Sequence, residues 1–67
     1  MQAKRVTAER ERLGMKQAEF AREIGISKQM INAIEKGMRA PSEKILIRMA
    51  QIFGCSADYL LGLTDER

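Results

Sequence analysis

Residues 17–36 read QAEFAREIGISKQMINAIEK. Phe20, Ala21 and Ile24 share one face of a helix running from about Gln17 to Ile24, and Ile31 and Ile34 share one face of a second helix ending near Lys36. Between them stand Gly25, Ile26 and Ser27. Gly25 is placed as a left-handed cap, and Ile26 for the apolar contact that accompanies such caps. Ser27 is a good N-cap for the helix that follows. Two short helices therefore meet through a three-residue turn. Ala21 is small where they approach, and Ile31 and Ile34 fill the angle between them.

The same period extends outward on both sides. A first helix spans roughly Ala3 to Leu13, with the stripe Ala3, Val6, Arg10, Leu13 and Gly14 as its stop. After the loop Met38-Arg39-Ala40-Pro41, Ser42 opens a fourth helix that runs to Phe53 and stops at Gly54. Leu46, Met49, Ala50 and Phe53 form its core stripe, widened by Ile45 and Ile52. Ser56 caps a short fifth helix through Leu61, closed by Gly62. Strand patterns are absent. The expected fold is all-α: five short helices with tight connections in one domain over residues 1–67, ordered from about 3 to 63. Thr64 to Arg67 read as a frayed polar end.

Composition narrows the chemistry. The 67 residues carry 12 Lys and Arg against 9 Asp and Glu, a net charge of +3. A chain this short buries only about 60% of its unfolded surface, so a modest stability is expected. No histidine is present and Cys55 is the lone cysteine, so no metal site and no internal disulfide are expected. No cofactor, no small-molecule ligand and no enzymatic activity are expected, because no histidine, glycine-rich phosphate loop or paired carboxylates occur. The N-terminus lacks a signal-peptide core and no apolar run approaches ~18 residues. A cytoplasmic, nucleoid-associated protein with no membrane partner fits.

The turn spacing is that of a helix-turn-helix, so the outward face of its second helix matters most. Lys28, Gln29, Asn32, Ala33 and Lys36 lie there, opposite Ile31 and Ile34, with no acid among them. Lys donates to guanine O6 and N7, Gln and Asn pair with adenine, and an Ala methyl meets a thymine methyl. A solvated helix face would also be polar; the turn spacing is what favours base reading. Lys16 precedes the second helix, where an N-cap should accept a hydrogen bond. Lysine cannot accept one, so the residue suits a phosphate better than it suits folding. The Gln17 amide at that helix N-terminus is an anion site. Lys36, Arg39 and Lys44 extend the basic edge.

Arg10 and Glu35 border apolar stripes on the first and third helices. A lone buried charge is costly, so the two are expected to pair, with Arg10 also a candidate for touching a phosphate. Met15, Met30 and Met49 fill the core or its edge. Cys55 reads as a small apolar residue rather than a nucleophile.

Nearly the whole chain resembles the lambda-repressor-like helix-turn-helix family of Cro/C1 or Xre type regulators. The marks are RxxxG from Arg10 to Gly14, QxxxAxxxG from Gln17 to Gly25, IxxIExG from Ile31 to Gly37, Pro41-Ser42, and the ending AxxFGCSxDYLLG. The resemblance implies a five-helix domain with the third helix in the major groove. It implies that Gln17 contacts a phosphate and buttresses that helix. Positions Ser27, Lys28, Gln29, Asn32 and Ala33 would meet bases or nearby phosphates, and Arg10 and Glu35 would form a buried salt bridge. Lys16 departs from the family's Ser, Thr or Asn, and Met30 from a smaller polar residue.

The expected function is sequence-specific double-stranded DNA binding as a transcriptional repressor of phage or prophage type. The expected mode is a homodimer on a palindromic operator, weak without DNA. Dimer contacts are expected from Ala40, Pro41, Ala57 and Leu60. The alternative is a protein-interaction or antitoxin-like module on the same fold, for which acids or bulky groups on the third helix would speak.

Overall fold

Serine sets the start of three of the five helices in the computed structural model, which describes residues 1–67 throughout. The helices are α1 (Ala3–Arg12), α2 (Gln17–Ile24), α3 (Lys28–Glu35), α4 (Glu43–Phe53) and α5 (Ala57–Leu61), and no strand is present. Ser27 Oγ accepts from Met30 N at 3.1 Å, Ser42 Oγ from Ile45 N at 3.3 Å, and Ser56 Oγ from Tyr59 N at 3.0 Å. Each bond satisfies one of the N–H groups that a helix start leaves unpaired. At the end of α2, Gly25 adopts φ +80°, a conformation that costs any residue with a Cβ about 1 kcal/mol or more. Gly25 N and Ile26 N both donate to Ala21 O, at 2.9 and 3.0 Å. Arg48 on α4 adds a bond from Nη1 to Ile24 O at 3.2 Å. The turn is thus held from within and from behind.

One core joins the helices: Val6, Phe20, Ala21, Ile24, Ile31, Ile34, Leu46, Met49, Ala50, Phe53 and Leu60. The rings of Phe20 and Phe53 stack with centroids 4.9 Å apart and planes at 16°. That contact ties α2 to α4, and truncating either ring would cost about 3–5 kcal/mol. Met49 is fully buried, and Met15, Met30, Ile45 and Ile52 pack against the core from its edge. These five agree with the stripes read from the sequence. No helix is long and apolar enough to cross a membrane.

Three expectations are corrected. Leu13 is exposed, not core. It lies one residue beyond α1, as its C-cap, so the stripe ends before reaching it. One turn earlier, Glu9 is buried and bonded to Arg12 and Arg67. Residues 64–67 are not frayed. Arg67 O accepts from Ser56 N, Arg67 Nε donates to Glu9 Oε2 at 3.0 Å, and Arg5 Nη1 donates to Thr64 O at 2.6 Å. Arg5 also stacks on Tyr59, with its guanidinium carbon 4.2 Å from the ring centroid. Finally, Leu60 is fully buried in the core. It has no surface to offer a second chain, and so leaves the set of dimer contacts.

Candidate nucleic-acid interface

The exposed side of α3 is built by the residues that its buried side does not use. Ile31 and Ile34 point into the core, so Lys28 and Gln29 stand exposed at the start of the helix, with Asn32 and Ala33 half-buried behind them. Gln17, from the first turn of α2, meets them. Gln17, Lys28, Gln29 and Asn32 together line one open concavity. No acidic side chain lines it. Met30 turns the other way and packs against the core, so it adds nothing to this face.

A hydrogen-bonded chain runs from the concavity into the protein. Gln17 Nε2 donates to Asn32 Oδ1 at 3.4 Å and to Glu35 Oε1 at 3.3 Å. Glu35 Oε1 also accepts from Thr7 Oγ1 at 3.0 Å and from Arg10 Nη2 at 3.1 Å, and Glu35 Oε2 accepts from Arg10 Nε at 2.7 Å. The Arg10–Glu35 fork is nearly buried, with side-chain exposures of 12% and 6%. Burial pushes the Glu35 pKa up. The hydrogen bonds from Arg10, Gln17 and Thr7, with the Arg10 charge, outweigh it and hold the group below its usual value. The expected pairing is therefore present, and it joins α1, α2 and α3 at one carboxylate. Thr7 is the member the sequence reading missed, because a half-buried threonine on a helix carries no local signal of its partner.

This arrangement also corrects the reading of Arg10 as a phosphate contact. Arg10 Nη1 donates to Met15 O at 2.7 Å while Nε and Nη2 hold Glu35. All three guanidinium nitrogens face inward partners. The amide nitrogen of Gln17 is likewise turned inward, which leaves the backbone N–H of the α2 first turn for an anion.

That first turn is electrostatically open. Lys16 takes the N-cap position with extended backbone and makes no side-chain cap bond. An ammonium has no lone pair to accept with. Glu19 repairs half of the defect, accepting from Lys16 N at 2.9 Å. The first-turn N–H groups of α2 keep no side-chain acceptor, beside an exposed cation. Ser27, Lys36 and Arg39 are exposed as well. The backbone of the loop after α3 is fixed by Met38 N and Arg39 N, which both donate to Ala33 O.

Ala40 is exposed, and Pro41 and Ala57 are half-buried. Burial, with the nearby Glu9 charge, pushes the Cys55 thiol above its usual pKa, which makes it a poor nucleophile.

Two short helices crossing through Gly25, with a polar, acid-free face on the second, define a helix-turn-helix protein of the kind that binds DNA. Residues 6–60 match the helix-turn-helix family, and the chain belongs to it. It is 39% identical over 57 residues to the uncharacterised HTH-type transcriptional regulator YazB of Bacillus subtilis, covering 85% of this chain and 83% of that protein. It is 36% identical over 50 residues to an uncharacterised HTH-type transcriptional regulator of Methanocaldococcus jannaschii, covering 75% and 76%. A similar regulator of Archaeoglobus fulgidus matches at 31% over 62 residues, covering 92% and 89%. Among solved structures, the chain superposes on the P22 c2 repressor in complex with a synthetic operator. The TM-score is 0.85 and the identity 28%, covering 90% of this chain and 91% of that one. The DNA-binding domain of the same repressor in solution matches with a TM-score of 0.83 and 28% identity, covering 100% of this chain and 91% of that one. The architecture is that of the family's DNA-binding transcriptional regulators.

Proposed function

We propose that this protein is a sequence-specific repressor that lays α3 in the major groove of a palindromic operator and binds there as a homodimer. The observation that carries this reading is the α3 face: Lys28, Gln29 and Asn32 gathered beside Gln17, free of acids and backed by the nearly buried Arg10–Glu35 ion pair. Lys28, Gln29, Asn32 and Ala33 meet base edges. Lys16, the Gln17 backbone, Ser27, Lys36 and Arg39 meet phosphates and set the register. The protein acts by occupancy, without catalysis. Ala40, Pro41 and Ala57 are the residues we assign to contact with a second copy.

Selection of bound sequences from a random duplex pool, repeated at two salt concentrations, tests the proposal. An enriched motif with two inverted half-sites is the expected result. Binding that depends on salt but enriches no motif would replace it with a non-specific DNA binder. No binding at low salt would move the fold to a protein-partner role.

A further inference from the structure

Two arginines make the same contacts at the end of α4. Arg12 donates from Nε to Glu9 Oε1 at 3.1 Å and from Nη2 to Phe53 O at 2.8 Å. Arg67 donates from Nε to Glu9 Oε2 at 3.0 Å, from Nη2 to Glu9 Oε1, and from Nη2 to Phe53 O at 3.1 Å. Glu9 is buried, so its charge needs a partner. It does not need two. If Arg67 leaves, Arg12 still reaches both acceptors. The rest of segment 64–67 is held in the same replaceable way. Arg5 donates to Thr64 O at 2.6 Å and to Asp65 Oδ1 at 2.8 Å. Without them it keeps Tyr59 O at 2.7 Å and the face of the Tyr59 ring. Ser56 N donates to Arg67 O at 2.6 Å from an exposed residue, where water can take the place of the carbonyl. No side chain of residues 64–67 joins the core.

We propose that residues 64–67 form a detachable strap, clasped by charge over the turn between α4 and α5, that opens without unfolding the five helices and uncovers Cys55. Opening breaks hydrogen bonds but strands no buried donor or acceptor, and stranding is the costly outcome. What holds the segment is two ion pairs, each with an exposed member, Asp65 and Arg67. Pairs of that kind are weak and are screened by salt. A segment with few apolar contacts and exposed hydrogen bonds opens well below the free energy of global unfolding. Cys55 is the residue beneath the clasp. Arg67 bonds to Phe53 O and Ser56 N, which bracket it in the chain, and Cys55 lies half-buried against the core between them. Arg12 is the reserve that makes release possible, because it keeps Glu9 and Phe53 O satisfied in the open state.

Alkylation of Cys55 by iodoacetamide on the full chain reads the strap, since the chain has one thiol. Arg67→Ala should raise the rate about fivefold at low salt, the weight of one exposed ion pair. Its melting temperature should fall by about 5 °C or less. Burial and the Glu9 charge hold the thiol pKa up, and the Arg67 charge pulls it down. Loss of that charge alone would therefore slow alkylation, so a faster rate reports access. In the parent, raising salt from about 20 to about 500 mM should move the rate toward that of Arg67→Ala, while the variant responds little. The reserve role of Arg12 is read by melting. Arg12→Ala and Arg67→Ala should each cost little, and the double variant, which leaves Glu9 buried and unpaired, should lose about 15 °C or more. An unchanged alkylation rate in Arg67→Ala would overturn the proposal. So would melting losses that simply add in the double variant. An Arg67→Ala chain that fails to fold would overturn it as well, since the segment would then be integral to the fold rather than detachable.

Discussion

Glu35 is the residue on which the interface turns, and its ionisation makes a pH prediction. The carboxylate accepts from Thr7, Arg10 and Gln17, and these contacts hold its pKa below the usual carboxylate value in spite of burial. The unfolded chain therefore takes up this proton more readily than the folded one. The stabilisation is complete above the unfolded pKa and is lost as pH falls through the lower folded value. Melting temperature measured from about pH 5 down to about pH 3 should fall less steeply in Glu35→Gln than in the parent. Parallel curves would mean that Glu35 does not contribute to acid unfolding. At neutral pH, Glu35→Ala strands Arg10 at 12% side-chain exposure and should cost about 3 kcal/mol by denaturant unfolding. Gln29→Ala is the complementary case. The residue is exposed and unbonded within the protein, so stability should hold. Affinity for the selected operator should drop by about 1–3 kcal/mol and affinity for random duplex much less. An equal loss on both would remove Gln29 from base reading.

At the scale of the helices, Lys16 trades stability against binding. It leaves the α2 start without a side-chain cap, and only Glu19 compensates. Lys16→Ser should add about 0.5–1 kcal/mol of stability through a restored cap. It should also weaken binding to all DNA alike and flatten the salt slope by about one unit. Higher stability with an unchanged slope would mean that the lysine meets no phosphate. Element starts and stops were legible in the sequence because they rest on local chemistry: serines at 27, 42 and 56, and a glycine at 25 that alone takes φ +80° without strain. The α1 stripe was legible only in part. From Val6, both Glu9 and Arg10 turn inward, and the burial of Glu9 depends on Arg67, 58 residues away. No period within α1 encodes that partner. The docking of residues 64–67 is equally non-local, since it rests on Arg5 and Glu9 at the other end of the chain. The hydrogen bond from Gln17 to Glu35 was hidden for a different reason. It follows from how α2 crosses α3, and that is a matter of geometry rather than residue type.

At the scale of the whole molecule, a net charge of +3 is too small to hold DNA by bulk attraction, so affinity has to come from where the cations sit. Four of them, Lys16, Lys28, Lys36 and Arg39, are exposed within or next to α2 and α3 in the chain. Arg5, Arg10 and Arg67 are engaged by Tyr59, Glu35 and Glu9. Each phosphate neutralised releases counterions, and log K falls with log salt at about −0.9 per contact on duplex DNA. If all four cations meet phosphate, one protomer should give a slope of about −3.6 and a dimer on two half-sites about −7. The slope therefore counts protomers without assuming a contact surface. Titrating the selected operator and a single half-site across about 50–200 mM salt should give the steeper slope on the full site and roughly half of it on the half-site. Equal slopes on both duplexes would mean that one copy suffices, and the homodimer would be discarded while the α3 reading stood.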